Sequence, residues 1–451
     1  MSQTADPNPS TLSGLLARSA RQHGGRVFLP RRSARGGDPV TFRDLDEQAA
    51  LVSAALHAFG IGHGDRVGLL AENRCEWLLA DLGIAGLGAV DVPRGGDTTP
   101  VEMAFLMRHS GCRAAFVEDD KVAEALLARR AEMPELRLLF SLSHETRVAG
   151  VLPWPEMLEH GRRAMAAEPE LVARLRARVQ PQDLLTIVYT SGTTADPKGV
   201  MLTHANVTSN VANTLAVLRF DEHDSFLSVL PAWHMYERLM DYLAMSIGAQ
   251  LVYTDRRRIK EDLRAVSPTV FAAVPRIWEM LHDGIVDAAH KQPGWRGALL
   301  RGVLSLARAI GARRAGPVQR ALHHLACATV HKKVHAMLGG RLRVAVPDLT
   351  MLCRLFLQAE HEQAPVTLPD GSKTDSQVWV QRMIMGGQTE PYDFHKTGFS
   401  ERILVGLLSR HGFRDFRRVD DFKLFNDCST LTFAGARISL NMQCIRAPDP
   451  K

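Results

Sequence analysis

Residues 186–204, "TIVYTSGTTADPKGVMLTH", decide the fold. Leu184, Leu185, Ile187 and Val188 form a short apolar run that reads as a buried strand. Two glycines and a proline, Gly192, Gly199 and Pro197, forbid its simple continuation, and a helix-like stretch resumes near Ala205. Strand, polar loop and helix is the arrangement in which backbone N–H groups and hydroxyls gather around an anion. The residue types suit a phosphate. Gly192 lets the backbone approach closely, and Thr190, Ser191, Thr193 and Thr194 offer hydroxyl donors. Lys198 adds a point charge where negative charge builds up as pyrophosphate leaves. A solvated Ser/Thr-rich loop is the competing reading. Length, order and context favour the phosphate.

The loop is not of the Walker type, because Gly199 follows Lys198 and no Gly-x-x-x-x-Gly-Lys-Ser/Thr frame precedes it. "YTSGTTADPKGVMLTHANV" (189–207) resembles the phosphate-loop signature of the AMP-forming acyl-CoA synthetases, the adenylate-forming enzymes. One position departs from that pattern: the family usually carries Gly after the two threonines, and here stands Ala195. If that position needs a positive φ, alanine costs about 1 kcal/mol.

Composition narrows the class. With 45% hydrophobic and 23% charged residues, the chain reads as a globular protein of two or three lobes. The most apolar run, "WLLADLGIAGLGAVDVP", is interrupted by Asp81 and Asp91 and is no membrane span. The start, "MSQTADPNPS", is polar, reads as a disordered segment over 1–10, and lacks a secretory pattern. Cysteines 75, 112, 327, 353, 428 and 444 show no Cys-x-x-Cys spacing, so neither a disulfide framework nor a zinc site is expected. A cytoplasmic location is the expectation.

The net charge of +6 is unevenly spread: Lys291 to Val346 holds eleven Lys/Arg and no Asp or Glu. Within it, 297–314, "GALLRGVLSLARAIGARR", places Leu299, Leu300, Val303, Leu304, Ala307 and Ile310 at helical spacing with Arg301 and Arg308 off that face. Such a helix suits peripheral contact with the inner face of an anionic membrane, or the phosphates of CoA; the alternative is packing on its own domain. His331 and His335 read as surface residues, since Lys332 and Lys333 would repel a metal. No module or interleaved aromatics point to nucleic acid.

Along the chain, "TFRDLDEQAALVSAALHAFG" opens with a Thr41…Asp44 capping pair and ends its helix at Gly60. Strand "DRVGLL" follows, then a helix capped by Asn73 through "CEWLLADLGIAGLG". A strand near Val90, a helix near 100–109 and strand "AAFVE" come next, and "SFLSVL", "AQLVY" and "PTVFAAV" continue the alternation. Alternating strands and helices indicate an α/β fold with a parallel, doubly wound sheet. Ligands bind such sheets at the carboxyl ends of strands. There, "LPAWHMYER" and "VPRIWEML" place His234 and Arg276 on the rim shared with Lys198. Each alone is more often an ordinary surface or core residue. These segments, with "VDVPRGGDTTPVEMAFLMRHSGCRAAFVED", are also similar to the long-chain acyl-CoA synthetases. The resemblance implies that His234 lines the wall where carboxylate and adenylate meet, with Trp233 and Tyr236 near an acyl channel. It runs from about Thr41 to Val346, and its loop motif is specific.

Beyond "LGGRLRVAV" the resemblance implies a Tyr-Gly-x-Thr-Glu segment with a magnesium-binding glutamate, a Thr-Gly-Asp for the ribose, a hinge and a mobile domain with a catalytic lysine. "GGQTEPY" (386–392) matches the first superficially through Glu390, and "KTGFSE" (396–401) lacks the aspartate of the second. "VPDLTMLCRLFL", "MIMGGQTEPYDFHKTGF" and "LFNDCSTLTFAGARISLN" instead resemble the carboxyl-terminal part of class I S-adenosylmethionine-dependent methyltransferases, with a helix over Glu401–Arg410 and closing strands. Their Asp-x-Gly-x-Gly donor loop is absent from this chain.

The expected organisation is therefore 1–10 disordered, 11–346 an incomplete adenylate-forming amino-terminal domain, and 347–451 a small α/β tail. The resemblance implies a fatty acid–CoA ligase: a carboxylate and ATP give an acyl-adenylate, then a thioester with CoA, with Mg²⁺ sharing the phosphate charge. Thr190, Ser191, Gly192, Thr193, Thr194, Lys198 and His234 are its nucleotide-facing residues, and no protein metal ligand is assigned. A nucleotide- or acyl-binding remnant without turnover, and a methyltransferase-like protein, are the alternatives.

Overall fold

The computed structural model describes residues 10–30, 38–190, 197–218 and 220–294, short pieces at 297–298, 301–303, 305 and 338–342, and six short strands beyond residue 365. The chain forms two compact units, Met1–Ala345 and Val346–Lys451.

The first unit opens with α1 (Leu12–His23), whose N-cap Thr11 accepts from the Gly14 N–H, and an antiparallel pair, β1 (Val27–Leu29) and β2 (Val40–Thr41). The capping pair expected at the next helix is realised in α2 (Phe42–Ala58). The Thr41 hydroxyl accepts from the Asp44 N–H at 3.2 Å, and the Asp44 carboxylate accepts from the Thr41 N–H at 2.9 Å. Each bond satisfies a backbone donor that a helix start leaves open. Gly60 then turns the chain at φ 81°.

A seven-stranded sheet follows. Its strands are β3 (Arg66–Leu70), β4 (Val90–Arg94), β5 (Cys112–Val117), β6 (Leu138–Ser141), β7 (Val151–Leu152), β8 (Leu184–Thr190) and β9 (Lys198–Thr203). They lie in the order β7-β6-β5-β3-β4-β8-β9, all neighbours parallel except β8 and β9. Alternation of side chains splits its core between two faces. Leu69, Ala114, Phe116 and Phe140 join α2, α3 (Cys75–Leu87), α6 (Trp154–Ala167) and α7 (Leu171–Arg178). Leu70, Ala115, Val117 and Leu139 join α4 (Pro100–Ser110) and α5 (Asp120–Leu127). This is the doubly wound arrangement, because a strand buried on both faces must be apolar at consecutive positions. Helix α3 is buried on every side, which is why its sequence shows no polar stripe. Gly161 in α6 packs against α2 so closely that a Cβ there would meet the Leu51 carbonyl.

After α8 (His204–Val217), capped reciprocally by Thr203 and Asn206, the alternation continues into a separate sheet. Here β10 (Ser225–Ser228) lies between β11 (Gln250–Tyr253) and β12 (Val270–Phe271), all parallel. Its helices are α9 (Met235–Ile247), α10 (Ile259–Val266) and α11 (Pro275–Lys291).

Two expectations are corrected. The phosphate-loop segment does not lead straight into a helix: β9 intervenes, antiparallel to β8, before α8 starts at His204. Nor does Asn73 cap α3, whose N-cap is Arg74 with no side-chain cap bond. Asn73 is engaged elsewhere.

In the second unit, the described pieces are three antiparallel pairs: β13 (Val366–Thr367) with β14 (Lys373–Thr374), β15 (Phe413–Arg418) with β18 (Met442–Arg446), and β16 (Thr432–Phe433) with β17 (Ala436–Arg437). Glu390, the Asp393–His395 neighbourhood and the helix expected over Glu401–Arg410 lie outside the described residues, as do residues 1–9, His331, His335 and most of 297–314. No helix among the described residues is long and apolar enough to cross a membrane.

Candidate functional site

Four strand ends supply the rim. Parallel pairing brings the carboxyl ends of β3, β4 and β8 side by side, and the segment after β10 reaches the same place. Thr190 ends β8, and Lys198 begins β9 directly opposite it; both are exposed. Ser191, Gly192, Thr193, Thr194 and Ala195 lie outside the described residues. The hairpin thus sets Thr190 opposite Lys198, the two residues of the expected phosphate-facing set on these strands that the structure describes.

Tyr189, one residue before Thr190, is buried and shares a 2.6 Å hydrogen bond with Nδ1 of His109. Burial pushes its hydroxyl up to about 12, so it is a neutral anchor for the strand end.

Sequence reasoning passed over Arg94, the last residue of β4. Its guanidinium donates to the Tyr189 carbonyl at 3.4 Å and to the Glu102 carboxylate at 2.7 Å, and lies 5.3 Å from the centre of the Trp233 ring. A cation over an indole face is favourable. Trp233 in turn packs on His234, ring centres 4.1 Å apart. Arg94 therefore ties the end of β8 to the Trp233–His234 wall. The signal that marks it is position: a lone arginine at a strand's carboxyl end, before Gly95-Gly96.

His234 is the N-cap residue of α9 and is exposed, without a side-chain capping bond. Desolvation, and then the charge of Arg94, hold its imidazole below the usual histidine range, which favours the neutral ring. Tyr236 is exposed on the first turn of α9. Arg276 is the second residue of α11, and its side chain lies outside the described residues.

On the other side of Trp233, its indole nitrogen lies beside the Glu72 carboxyl without ordinary hydrogen-bond geometry. Burial, followed by Asp97 and Glu118, raises the Glu72 pKa. Asn73 holds the wall's backbone: its amide donates to the Leu230 carbonyl and accepts from the Ala232 N–H, both at 2.6 Å.

Behind the rim lies a wholly buried polar network. Arg238, one turn into α9, donates to both oxygens of Asp91, to Thr186 of β8, to Asp81 of α3 and to the Tyr242 hydroxyl. The Tyr242 hydroxyl donates to Asp81 at 2.6 Å. On the same helix, Glu237 and Asp241 are buried acids. Tyr253 donates to Asp241 at 2.9 Å, whereas the Glu237 oxygens lack hydrogen bonds of ordinary geometry.

Among the described residues no group of three or more His, Cys, Asp or Glu side chains could hold a metal ion. The described residues do not make a magnesium cage.

The model of the family described as "AMP-binding enzyme" matches residues 16–336. The chain belongs to the AMP-binding enzyme family. Among its relatives, the chloroplastic long-chain-fatty-acid–[acyl-carrier-protein] ligase of Arabidopsis thaliana is 31% identical over 278 residues, 59% of this chain and 38% of that protein. The peroxisomal long chain acyl-CoA synthetase 6 of the same plant is 31% identical, over 66% of this chain and 42% of that one. A long-chain-fatty-acid–CoA ligase of Xenopus laevis is 24% identical over 93% of this chain and 60% of its own. The chain thus spans about two fifths of the length of these plant relatives. Among solved structures, the amino-terminal domain of FACL13 from Mycobacterium tuberculosis superimposes with a TM-score of 0.51 at 24% identity, covering 63% of this chain and 65% of that one. That likeness establishes the adenylate-forming amino-terminal fold for this AMP-binding chain.

Proposed function

We propose that this AMP-binding chain is a fatty acid–CoA ligase by descent. The observation that supports the reading best is the pairing of Thr190 with Lys198 beside the Arg94–Trp233–His234 wall, at the carboxyl ends of parallel strands. The two acyl-activating plant relatives support a fatty acid as the carboxylate.

In the first half-reaction, a carboxylate oxygen attacks the α-phosphorus of ATP, the bond to the pyrophosphate breaks, and acyl-adenylate forms. Lys198 and the hydroxyls of Thr190, Ser191, Thr193 and Thr194 would hold the phosphates and oppose the charge gathering on the leaving pyrophosphate. Neutral His234 would face the carboxylate without holding it in a competing salt bridge. Magnesium, carried on the nucleotide, would supply further charge neutralisation. In the second half-reaction the thiol of CoA replaces AMP at the acyl carbon.

Residues 347–451 contain no Thr-Gly-Asp segment to hold the ribose, so on the same reading any turnover would draw on groups other than that aspartate. The likeness of that tail to a methyltransferase end is a separate proposal, tested by binding of S-adenosylmethionine. The ligase test is ATP–pyrophosphate exchange and thioester formation with a long-chain fatty acid, for the parent and for Glu390→Gln. ATP binding with slow exchange is the expected result. Brisk turnover that collapses in Glu390→Gln would make the tail a working ligase end, and absence of ATP binding in the parent would end the ligase reading. Peripheral contact of 297–314 with an anionic membrane is a further part of the proposal, read out by vesicle co-sedimentation.

A further inference from the structure

The Asn73 side chain joins two parts of the fold that are distant in sequence. It follows β3 of the seven-stranded sheet, and both its bonds go to the segment between β10 and α9, 157 and 159 residues away. The partners leave no choice of amide orientation: the Leu230 carbonyl can only accept, and the Ala232 N–H can only donate. A weaker approach to the Ser228 hydroxyl, at 3.5 Å, lies on the same amide nitrogen. The residue directly after Ala232 is Trp233, then His234.

We propose that Asn73 is a positioning residue that sets where the Trp233–His234 wall stands relative to the strand ends of the nucleotide-facing sheet. This rests on the ligase reading for its functional consequence, but the placement itself does not. Three observations converge on it. The amide makes complementary bonds to two backbone groups flanking Pro231. The N–H of His234 bonds the Pro231 carbonyl at 2.9 Å, so 231–234 is a turn whose leading limb Asn73 grips at Leu230 and Ala232. Trp233 is the contact of Arg94, which reaches β8. Release of the turn would let Trp233 leave Arg94 and would move the His234 ring with it, while Thr190 and Lys198 stay paired.

A plain helix-capping role makes a different prediction. Asp caps helices as well as Asn does, but Asp cannot donate to the Leu230 carbonyl and would set two acceptors against each other. The test therefore uses the full chain with Asn73→Ala and Asn73→Asp. Acrylamide quenching of Trp233 is taken as the difference between each protein and its Trp233→Phe counterpart. Binding of ATP and of a non-hydrolysable long-chain acyl-sulfamoyl adenosine is measured alongside. Both variants are expected to raise the quenching of Trp233 by about twofold and weaken the acyl-adenylate mimic by about tenfold, the scale of one or two lost hydrogen bonds, with ATP affinity held. Asn73→Asp behaving like the parent, or unchanged Trp233 quenching in both variants, would overturn the proposal. If the parent binds ATP but not the mimic, the ligase reading fails, and Trp233 quenching alone still decides the role of Asn73.

Discussion

Arg238 and Asp91 meet as a two-bonded pair with no solvent contact: Nη1 to Oδ2 is 3.0 Å and Nη2 to Oδ1 is 2.7 Å. The pair joins α9 to β4, and Asp81 and Thr186 complete it from α3 and β8. Burying ions is costly, so the pair need not add stability; breaking it leaves charge stranded in the core. Arg238→Met should therefore lower unfolding stability by about 3–5 kcal/mol. Combining it with Asp81→Asn and Asp91→Asn should recover part of that loss. Urea titration of the single and triple variants checks both, and equal stability of parent and Arg238→Met would refute the assignment.

Asp241 gives a pH dependence of unusual sign. Burial pushes its carboxyl up to about 8, with nearby Asp81 adding to the rise and the Tyr253 hydroxyl opposing it. Asp91 is raised in the same way, to about 6. A native acid with a raised pKa keeps a proton that the unfolded chain has released. Between about pH 4 and 8 the unfolded state holds fewer protons at this carboxyl, so the stability it contributes falls as pH rises through that window. Asp241→Asn, which imitates the protonated acid, should flatten the fall between about pH 7 and 8, above the range in which Asp91 loses most of its proton. Thermal midpoints across pH 5–8 measure it. A parent that gains stability toward pH 8 would contradict the sign.

Gly161→Ala reverses the usual expectation for a helix. Alanine is intrinsically better than glycine in a helix interior by about 1 kcal/mol. Here the new methyl would be driven into the Leu51 carbonyl of α2, whose backbone cannot retreat without moving the helix. The substitution should destabilise by about 1–3 kcal/mol, as seen in the denaturation midpoint. A stabilised variant would show that α2 and α6 yield readily.

Lys198→Ala should weaken ATP binding at least severalfold, since loss of a charge-assisted contact costs about 1.5–3 kcal/mol. Calorimetric titration decides it. Equal affinity in parent and variant would remove Lys198 from the nucleotide site.

What could be read in advance follows from range along the chain. The Thr41–Asp44 box and the strand before Thr190 are local patterns, and both stand as read. Strand β9 was missed because its partner bonds to β8 are set by pairing across the loop, while its own residues show no alternating burial. Asn73 before an apolar helix looks like a cap, and only the arrival of the β10–α9 turn explains why its amide is taken. Asp81 and Asp91 were visible as charges interrupting an apolar run. Their partner lies 157 and 147 residues later, beyond any periodicity. Arg94 is found by the same long-range closure of the sheet.

Thr190 and Lys198 lie opposite each other, so the seven residues between them leave and return at one point. The pairing of Thr190 with Lys198 holds the two ends of this segment together. Closure entropy grows only with the logarithm of length, about 0.6 kcal/mol per doubling. Two residues inserted after Ala195 should therefore leave the melting temperature nearly untouched while carrying the threonine hydroxyls out of step with the lysine. On the proposed reading, the length of this segment would set nucleotide capture while leaving folding nearly unchanged.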